Sequence, residues 1–269
     1  MADIDIKDMV WSYSRLTTYE TCPYCFKLAY IKDLRKKYET PSAFSQYGSF
    51  CHELLEMYFK DDIPDFLMLN YYNEHFTQNV TCDFPPNRYT DLAQKYYKQG
   101  QDYFESFIGF EDKYKEILEI ETEFFFNVGD YKMKGFIDLA ARNYYQQIEI
   151  IDHKSKSKPK SKVEKEKLYR QLYLYSIPIF EKYNQWPSRL NFNMFKLQDW
   201  YCKDFSIDEL EQSKMWALGI IHDVENDTEF NAIDPKKDKM DYWCNFVCGM
   251  REICPNSMCY KPYLVEEIA

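Results

Sequence analysis

The chain has 269 residues, which is enough to bury a sizeable core as one domain or as two small ones. Aromatic residues make up 19% of the chain and there are only 7 glycines, so a disordered protein and a glycine-rich nucleotide-binding loop are both disfavoured. The formal net charge of −10 does not indicate a nucleic-acid-binding protein, and since no run of 18 apolar residues occurs, a membrane-spanning helix is not expected.

The N-terminal segment is acidic, unlike the basic start of a signal peptide, so we expect a soluble, cytoplasmic protein without a membrane partner. Two short helices are predicted over residues 12–31, with Pro23 in the first turn of the second. Leu16, Tyr19 and Cys22 recur on one face of the first helix. This pattern is typical of an amphipathic helical hairpin in which Cys22 belongs to the core.

A longer helix is predicted to begin at Gly48, with His52 in its first turn. A single histidine is more often an ordinary core or surface residue than a metal ligand, so His52 alone assigns no chemistry. Residues 61–115 are predicted to be helical, with a turn at 82–87 where two prolines occur. We interpret them as a helical insertion that packs on a sheet.

Residues 117–126 alternate between charged and apolar side chains, which predicts a strand. The charged side of this strand consists of Glu119, Glu121 and Glu123. We expect this side to face solvent, although Glu121 could instead point into a metal site. Short turns lead to a second strand at 131–140 and a third at 147–154, and three strands joined in this way predict an antiparallel meander.

The second half of the chain is predicted to contain a helix over 162–183, a strand over 191–200 and a helix from Ser206 to about residue 224. A lysine-rich run with only two glutamates begins at the end of the third strand. Its lysines are Lys154, Lys156, Lys158, Lys160, Lys162, Lys165 and Lys167. Such a run is commonly a solvated face, but it also suits contact with nucleic-acid phosphates.

Two of the predicted strands carry a carboxylate after an apolar stretch, Asp138 and Asp152, and Lys154 follows two residues later. Buried carboxylates are costly unless they are paired or coordinated. A divalent cation would compensate both, and oxygen ligands suit Mg²⁺ or Mn²⁺. Such an ion can activate water for attack on a phosphate, with Lys154 offsetting charge. From these residues alone, a buried salt bridge between aspartate and lysine explains the pattern equally well.

Five segments of the chain carry the most specific pattern when they are taken in order. They are Ser14-Arg-Leu-Thr-Thr-Tyr-Glu-Thr-Cys22-Pro, Gly48-x-x-x-His52, Gly135-Phe-Ile-Asp138, Asp152-His-Lys154 and Gln171-x-x-x-Tyr175. In this order they resemble motifs of the PD-(D/E)xK nuclease superfamily, in particular its RecB-like branch, which includes iron–sulfur exonucleases of CRISPR adaptation and AddB-type helicase-nucleases. The resemblance covers about residues 12–260, with His153 in place of the usual tyrosine.

The resemblance implies a metal site and a catalytic lysine. The implied metal ligands are His52, Asp138, Asp152 and the backbone carbonyl of His153. The implied catalytic group consists of the same two aspartates with Lys154, Gln171 and Tyr175. Because residue 153 would contribute its backbone, a histidine at this position is compatible with such a site. Mg²⁺ or Mn²⁺ is the expected ion.

The same branch often carries a [4Fe–4S] cluster bound by one N-terminal and three C-terminal cysteines. This chain has nine cysteines, and the resemblance assigns the cluster to Cys22, Cys244, Cys248 and Cys254. The first C-terminal gap is one residue longer than the family spacing, so the choice of ligands stays open, with Cys25 in reserve and Cys259 left over. Zinc bound by the four C-terminal cysteines, or plain reduced thiols, would also fit the sequence.

We therefore expect an α/β fold with a restriction-endonuclease-like mixed sheet core flanked by helices. One nuclease domain over 1–269 would include the helical insertion at 61–115 and a cysteine-rich Fe–S cap at 240–269 that pairs with Cys22. The resemblance implies exonucleolytic hydrolysis of single-stranded DNA ends, with any helicase or CRISPR-adaptation partner on a separate chain, and it allows a phage or mobile-element source. A catalytically silent DNA- or protein-binding module of the same fold is the alternative, which the net charge of −10 favours.

Overall fold

The structure is a computed structural model that describes residues 4–110 and 113–266. The start of the acidic N-terminal segment, residues 111–112 of the expected insertion and residues 267–269 of the expected cap lie outside the described residues. Within the described residues, no helix is both long enough and apolar enough to span a bilayer.

The described residues form nine α-helices, five strands and four short 3₁₀ or π-helical segments. The α-helices are α1 (Tyr13–Thr21), α2 (Pro23–Phe26), α3 (Arg35–Tyr38), α4 (Ala43–Phe59), α5 (Asp65–Asn79), α6 (Leu92–Glu105), α7 (Lys162–Tyr183), α8 (Ile207–Asn226) and α9 (Pro262–Glu266). The strands are β1 (Tyr114–Val128), β2 (Tyr131–Asn143), β3 (Ile148–His153), β4 (Arg189–Met194) and β5 (Asp199–Asp204). Short 3₁₀ segments lie at Ile6–Asp8 and Phe195–Leu197, and π-helical turns at Lys27–Ile31 and Trp243–Val247.

The five strands form one mixed sheet in the order β1-β2-β3-β4-β5. The pairs β2–β3 and β4–β5 are antiparallel, whereas β3 and β4 are parallel because α7 carries the chain back between them. Every residue of β3 is buried, so helices and loops cover both faces of the sheet there. The predicted α/β fold with a mixed sheet flanked by helices is confirmed.

The predicted strand over 191–200 is wrong, because the structure has two antiparallel strands in this region. β4 ends at Met194, a 3₁₀ turn follows, and Gln198 adopts a left-handed conformation with a φ of 51° before β5 begins. The turn contains no glycine, proline or asparagine, so the sequence carries no usual turn signal.

The helix that carries His52 begins at Ala43 rather than at Gly48, so the prediction of its start was wrong. His52 therefore lies in the middle of α4 and not in its first turn. Gly48 serves a packing role inside the helix, since a Cβ atom there would lie 2.9 Å from the Ser155 hydroxyl. α4 can thus approach the loop that follows Lys154.

The three glutamates of β1 do not share one solvent face, which corrects the sequence-based expectation. Glu119 is only 5% exposed and accepts hydrogen bonds from Lys182 and Tyr183 of α7, whereas Glu123 is exposed. Between them Glu121 has a φ of 43°, which is uncommon for a non-glycine residue. This irregular residue shifts the alternation of β1, so that side chains beyond it point to the opposite faces.

Contacts divide the chain into two compact units. The first comprises Met1–Phe44, Asn127–Met133 and Met215–Ala269, and the second comprises Ser45–Phe126 and Lys134–Lys214. In the second unit, apolar residues of α4, α5 and α6 form one core with Leu139, Ala141, Ile151 and Phe195 of the sheet region. In the first unit, a separate small core contains Cys22, Cys25 and Cys248.

Candidate active site and cysteine cluster

The candidate site lies at the point along β2 where the strand passes from having one buried face to having two. Gly135 and Ile137 are buried while Phe136 between them is exposed, so only one face of the strand is covered there. From Leu139 to Ala141 all three residues are buried, so both faces are covered. Asp138 stands at this border with its side chain 11% exposed.

Three elements bring a possible set of metal ligands together at this border. His52 of α4, Glu121 of β1 and Asp138 of β2 each offer one ligand atom, and these atoms all lie within 4.8 Å of one another. His52 Nδ1 lies 3.5 Å from Asp138 Oδ2 and 3.8 Å from Glu121 Oε1. It is the one such group among residues 4–110 and 113–266. Glu121 is the residue with positive φ, and such strain is commonly found at functional sites.

Electrostatics in this group favour a cation. Burial, followed by the nearby charge of Asp152, raises the pKa of Asp138 to about 7. Burial alone would lower the pKa of His52, but the hydrogen bond to Glu121 and the charge of Asp138 raise it. The backbone N–H of His153 donates to Asp138 Oδ2 over 2.7 Å and fixes one carboxylate oxygen. A bound divalent ion would replace the protons that these groups otherwise retain.

Asp152 and Lys154 form a close pair at the end of β3. Lys154 Nζ lies 2.6 Å from Asp152 Oδ2, and Gln171 Nε2 of α7 donates to Asp152 Oδ1 over 2.9 Å. Burial alone would lower the pKa of Lys154, but Asp152 and Asp138 raise it, so the lysine is protonated at neutral pH. Its backbone N–H donates to the carbonyl of Asn193 on the parallel strand β4 over 2.8 Å.

The structure thus brings most of the sequence-predicted site residues into one place, but in two groups. His52 and Asp138 lie with Glu121, whereas Asp152 lies with Lys154 and Gln171 and is not in the group of three. Sequence reasoning treated Glu121 only as an option, because regular alternation placed it beside two other glutamates. The signal that separates Glu121 from its neighbours is the irregular backbone, which sequence does not show.

Tyr175 is placed by packing against the first residue of the Gly135-Phe-Ile-Asp138 segment. A Cβ atom on Gly135 would lie 2.4 Å from a ring carbon of Tyr175, so only glycine admits the ring at this position. Burial raises the pKa of the Tyr175 phenol, which also hydrogen-bonds Gln171. Gln171 and Tyr175 therefore connect the Asp152–Lys154 pair to the strand that carries Asp138.

His153 has a buried side chain, in agreement with a role for its backbone. Its ring stacks on Phe59 at 5.8 Å between centroids, and Asn193 Nδ2 lies 3.0 Å from its Nδ1. Burial, and then the charge of His52, lowers the pKa of His153 well below the ordinary value, so the ring is neutral. The metal-binding role of its carbonyl stays a prediction.

The lysines of the run lie on three successive parts of the chain, the end of β3, the loop after it and α7. Lys154 is held at the site, whereas Lys156, Lys158 and Lys160 are exposed on the loop that follows β3. Ser161 then caps α7 by accepting from the Glu164 N–H. The exposed lysines are thus free to face solvent, as either interpretation of the run requires.

Of the four cysteines assigned to a cluster, Cys22 and Cys248 lie in the small core of the first unit. The thiol sulfurs of Cys25 and Cys248 are 3.7 Å apart, and the Cys25 N–H donates to Cys22 Sγ over 3.4 Å. Cys254 packs against the same core, and Cys244 is 8% exposed and electrostatically coupled to Cys248 and Cys22.

The thiols of this core differ in acidity. The hydrogen bond shared with Cys25, and then the N–H of Met250 and the charge of Arg251, lower the pKa of Cys248. The hydrogen bond to Cys248 and burial raise the pKa of Cys25, and burial raises that of Cys244 to about 11. Cys259 instead donates to the carbonyl of Asn245 over 3.2 Å.

A model of the PD-(D/E)XK nuclease superfamily matches residues 10–255. No curated protein matches the chain. Among solved structures, one named "Crystal structure of SSO0001" is similar over 90% of this chain and 94% of its own length, with 15% identical residues and a TM-score of 0.33. With so low a TM-score, this similarity supports no conclusion about the site.

Proposed function

Because the chain belongs to the PD-(D/E)XK nuclease superfamily, we propose that it is a metal-dependent deoxyribonuclease that acts as an exonuclease on single-stranded DNA ends. The convergence of His52, Glu121 and Asp138 within 4.8 Å is the observation that supports this most directly. A protein that only binds DNA does not need three ionisable side chains arranged around the position of one ion.

The donor set suits the ions that this chemistry uses. Two carboxylates and one imidazole are compatible with Mg²⁺ or Mn²⁺, and the backbone carbonyl of His153 would add a further hard ligand. The raised pKa of Asp138 indicates a carboxylate that lacks sufficient compensation without a cation. When bound, such an ion polarises a phosphate oxygen and lowers the pKa of water. Asp152 remains a candidate ligand through the oxygen that it shares with Lys154.

The protein residues supply positioning and charge. The protonated ammonium of Lys154 would offset negative charge that develops on the attacked phosphate. Asp152 orients this lysine through an ion pair of 2.6 Å. Gln171 in turn orients the Asp152 carboxylate through a hydrogen bond of 2.9 Å. The Tyr175 phenol forms a hydrogen bond with Gln171, and its ring packs against Gly135.

The test is degradation of end-labelled single-stranded DNA with Mg²⁺ or Mn²⁺ by wild type and by Lys154→Ala. We expect loss of activity in Lys154→Ala and in samples with a chelator. Lys214→Ala is a matched control, because this lysine lies in α8 and pairs with Glu211. Equal cleavage by wild type and Lys154→Ala would reject the catalytic assignment. Binding without any cleavage by wild type would instead favour the silent DNA-binding module.

We also propose a [4Fe–4S] cluster bound by Cys22, Cys244, Cys248 and Cys254, as in the RecB-like branch. In support, Cys22 and Cys248 lie in one small core and Cys254 packs against it, while Cys244 is buried within the π-helical turn Trp243–Val247, a kind of irregularity often found at functional sites. Zinc held by the four C-terminal cysteines is the competing assignment, because zinc too is bound by thiolates.

An anaerobic preparation tests this assignment. We expect a brown protein that absorbs near ~400 nm and contains iron and sulfide. A colourless protein that contains zinc would reject the cluster. If the chain is of the RecB-like branch, as the resemblance implies, we propose a helicase or a CRISPR-adaptation protein on a separate chain as the partner class.

A further inference from the structure

The face of β1 and β2 next to the metal centre is open and carries exposed aromatic rings. Phe136 lies two residues before Asp138 on β2 and is 47% exposed, and Phe125 on the neighbouring strand β1 is 51% exposed. Side chains two residues apart on a strand share a face and are about 7 Å apart. Phe136 therefore begins an open aromatic surface directly beside the Asp138 carboxylate.

Alternation along both strands shows that the two rings share this face. On β2, Gly135 and Ile137 are buried on the opposite side of the strand, where Gly135 meets Tyr175. On β1, Phe126 is buried and its ring also meets that of Tyr175, so Phe125 points away from α7. The opposite face of both strands is thus covered by α7, while the face with Phe125 and Phe136 is open.

A cation lies beside one of the two rings. Lys134 Nζ is 5.8 Å from the centre of the Phe136 ring and 3.0 Å from Glu123 Oε1 on the neighbouring strand. The open face thus combines two aromatic rings with one ammonium group and ends at the candidate metal ligands. Single exposed apolar residues are ordinary on protein surfaces, but two on one face that continues into a metal centre point to a ligand.

We propose that Phe125 and Phe136 form a stacking platform for unpaired bases of the strand whose phosphate lies at the metal centre. This inference rests on the proposed nuclease function. Aromatic side chains on an open sheet face bind single strands because the faces of unpaired bases are available for stacking. In a duplex these faces are covered by neighbouring base pairs. The platform therefore selects single-stranded over double-stranded substrate and explains how an acidic chain holds nucleic acid close to its metal centre.

Binding is measured by anisotropy of a labelled single-stranded oligonucleotide with Mg²⁺ present, in a Lys154→Ala background that prevents cleavage. Adding Phe136→Ala should weaken binding roughly 10-fold, and Phe125→Ala should weaken it less, since stacking on one ring accounts for such a factor. The dependence of binding on salt should stay the same, because no phosphate contact is removed. Phe136→Trp keeps an aromatic ring and should therefore bind as tightly as the protein with Phe136. Phe66→Ala is the matched control, because Phe66 is 76% exposed on α5 in the same unit.

A second measurement reports stacking itself. A 2-aminopurine base placed near the scissile end should be quenched on binding to the Lys154→Ala protein, and this quenching should be lost with Phe136→Ala. Unchanged affinity and unchanged quenching in both phenylalanine variants would overturn the platform even if wild type cleaves DNA. Phenylalanine-dependent binding together with inactive wild type would reject the nuclease proposal and leave the platform standing.

Discussion

In the second unit, three separate elements place His52, Glu121 and Asp138 within reach of a single ion, whereas in the first unit the cysteines share a core without such an arrangement among its described residues. The first set stands on long elements, since α4 has 17 residues, β1 has 15 and β2 has 13. The cysteines stand on short ones, among them the four-residue helix α2 and a five-residue π-helical turn.

This difference shows two ways in which a chain can prepare a metal site. Charged ligands of the second unit are costly to bury, so hydrogen bonds and packing hold them in place before an ion binds. Cysteine side chains behave as small hydrophobic groups and can be buried at little cost. Their sulfur atoms therefore need no fixed arrangement before a cluster binds. We therefore expect the second unit to keep its structure without metal, and the first unit to depend on the proposed cluster.

The largest effect is expected from Asp138→Asn, which tests the preformed centre. The amide keeps the shape of the side chain but weakens the metal site, so nuclease activity should fall roughly 10²–10³-fold. Activity is measured as initial rates on end-labelled single strands over a range of Mn²⁺ concentrations. Restoration of full activity at high Mn²⁺ would show that Asp138 contributes only to affinity.

The same variant should lower activity but raise the stability of the metal-free protein at neutral and higher pH. The pKa of Asp138 is raised from its ordinary 3.8 to about 7, so the folded state favours the protonated form. The resulting stabilisation is present below about pH 4 and is lost as the pH rises towards 7. Asp138→Asn should therefore have the melting temperature of wild type near pH 4 and a higher one near pH 8. Thermal unfolding in the presence of a chelator measures both. Equal stability at both pH values would contradict a buried, uncompensated carboxylate.

Cys248→Ser tests the other side of the comparison. Cys248 lies in the cysteine core, and its hydrogen bond with Cys25 lowers its pKa, so its loss as a proposed cluster ligand should abolish absorption near ~400 nm and lower the stability of the protein. Cys202→Ser is the matched control, because Cys202 is exposed on β5 in the second unit. If Cys248→Ser keeps the iron content and the melting temperature of wild type, the first unit does not depend on this ligand.

Glu121→Gln examines the ligand that the structure adds to the sequence-based set. Loss of one charged ligand from a preformed group should weaken Mn²⁺ binding about 10–100-fold while the fold is kept. Isothermal titration with Mn²⁺ measures this effect, and Glu123→Gln serves as the control from the same strand. Equal affinities for the two variants would remove Glu121 from the metal centre.

Much of the fold follows from local patterns, and the exceptions have physical causes. Regular alternation and helical spacing predict β2, β3 and α7 with nearly correct limits, because packing only reinforces these local preferences. The turn at Gln198 escapes prediction, since a left-handed residue without glycine is stabilised by pairing of β4 with β5. Glu121 is misplaced for a similar reason, because one irregular residue shifts the phase of a strand.

The site is predictable in its residues but not in its grouping. Asp138, Asp152 and Lys154 can be selected from sequence because charges that follow apolar strands require compensation. Their division into two groups depends on α4 and α7, which deliver His52 to one aspartate and Gln171 to the other. Such long-range contacts leave no local pattern in the sequence.

The smallest effect, Gly135→Ala, tests whether packing beneath the metal centre keeps it preformed. The added methyl group would lie 2.4 Å from the Tyr175 ring, so the ring or the strand must move, at a cost of about 1–3 kcal/mol. Gly219→Ala is the contrasting substitution, because Gly219 lies in α8 and the new methyl group would meet no described atom within 4 Å outside the adjoining part of its own helix, so the protein should gain up to about 1 kcal/mol. Chemical unfolding measures both.

Because Tyr175 forms a hydrogen bond with Gln171, the Gly135→Ala protein should also lose activity at temperatures where it remains folded. Adding Tyr175→Leu to the Gly135→Ala protein should recover stability without recovering activity. Recovery of both would assign the tyrosine to packing alone.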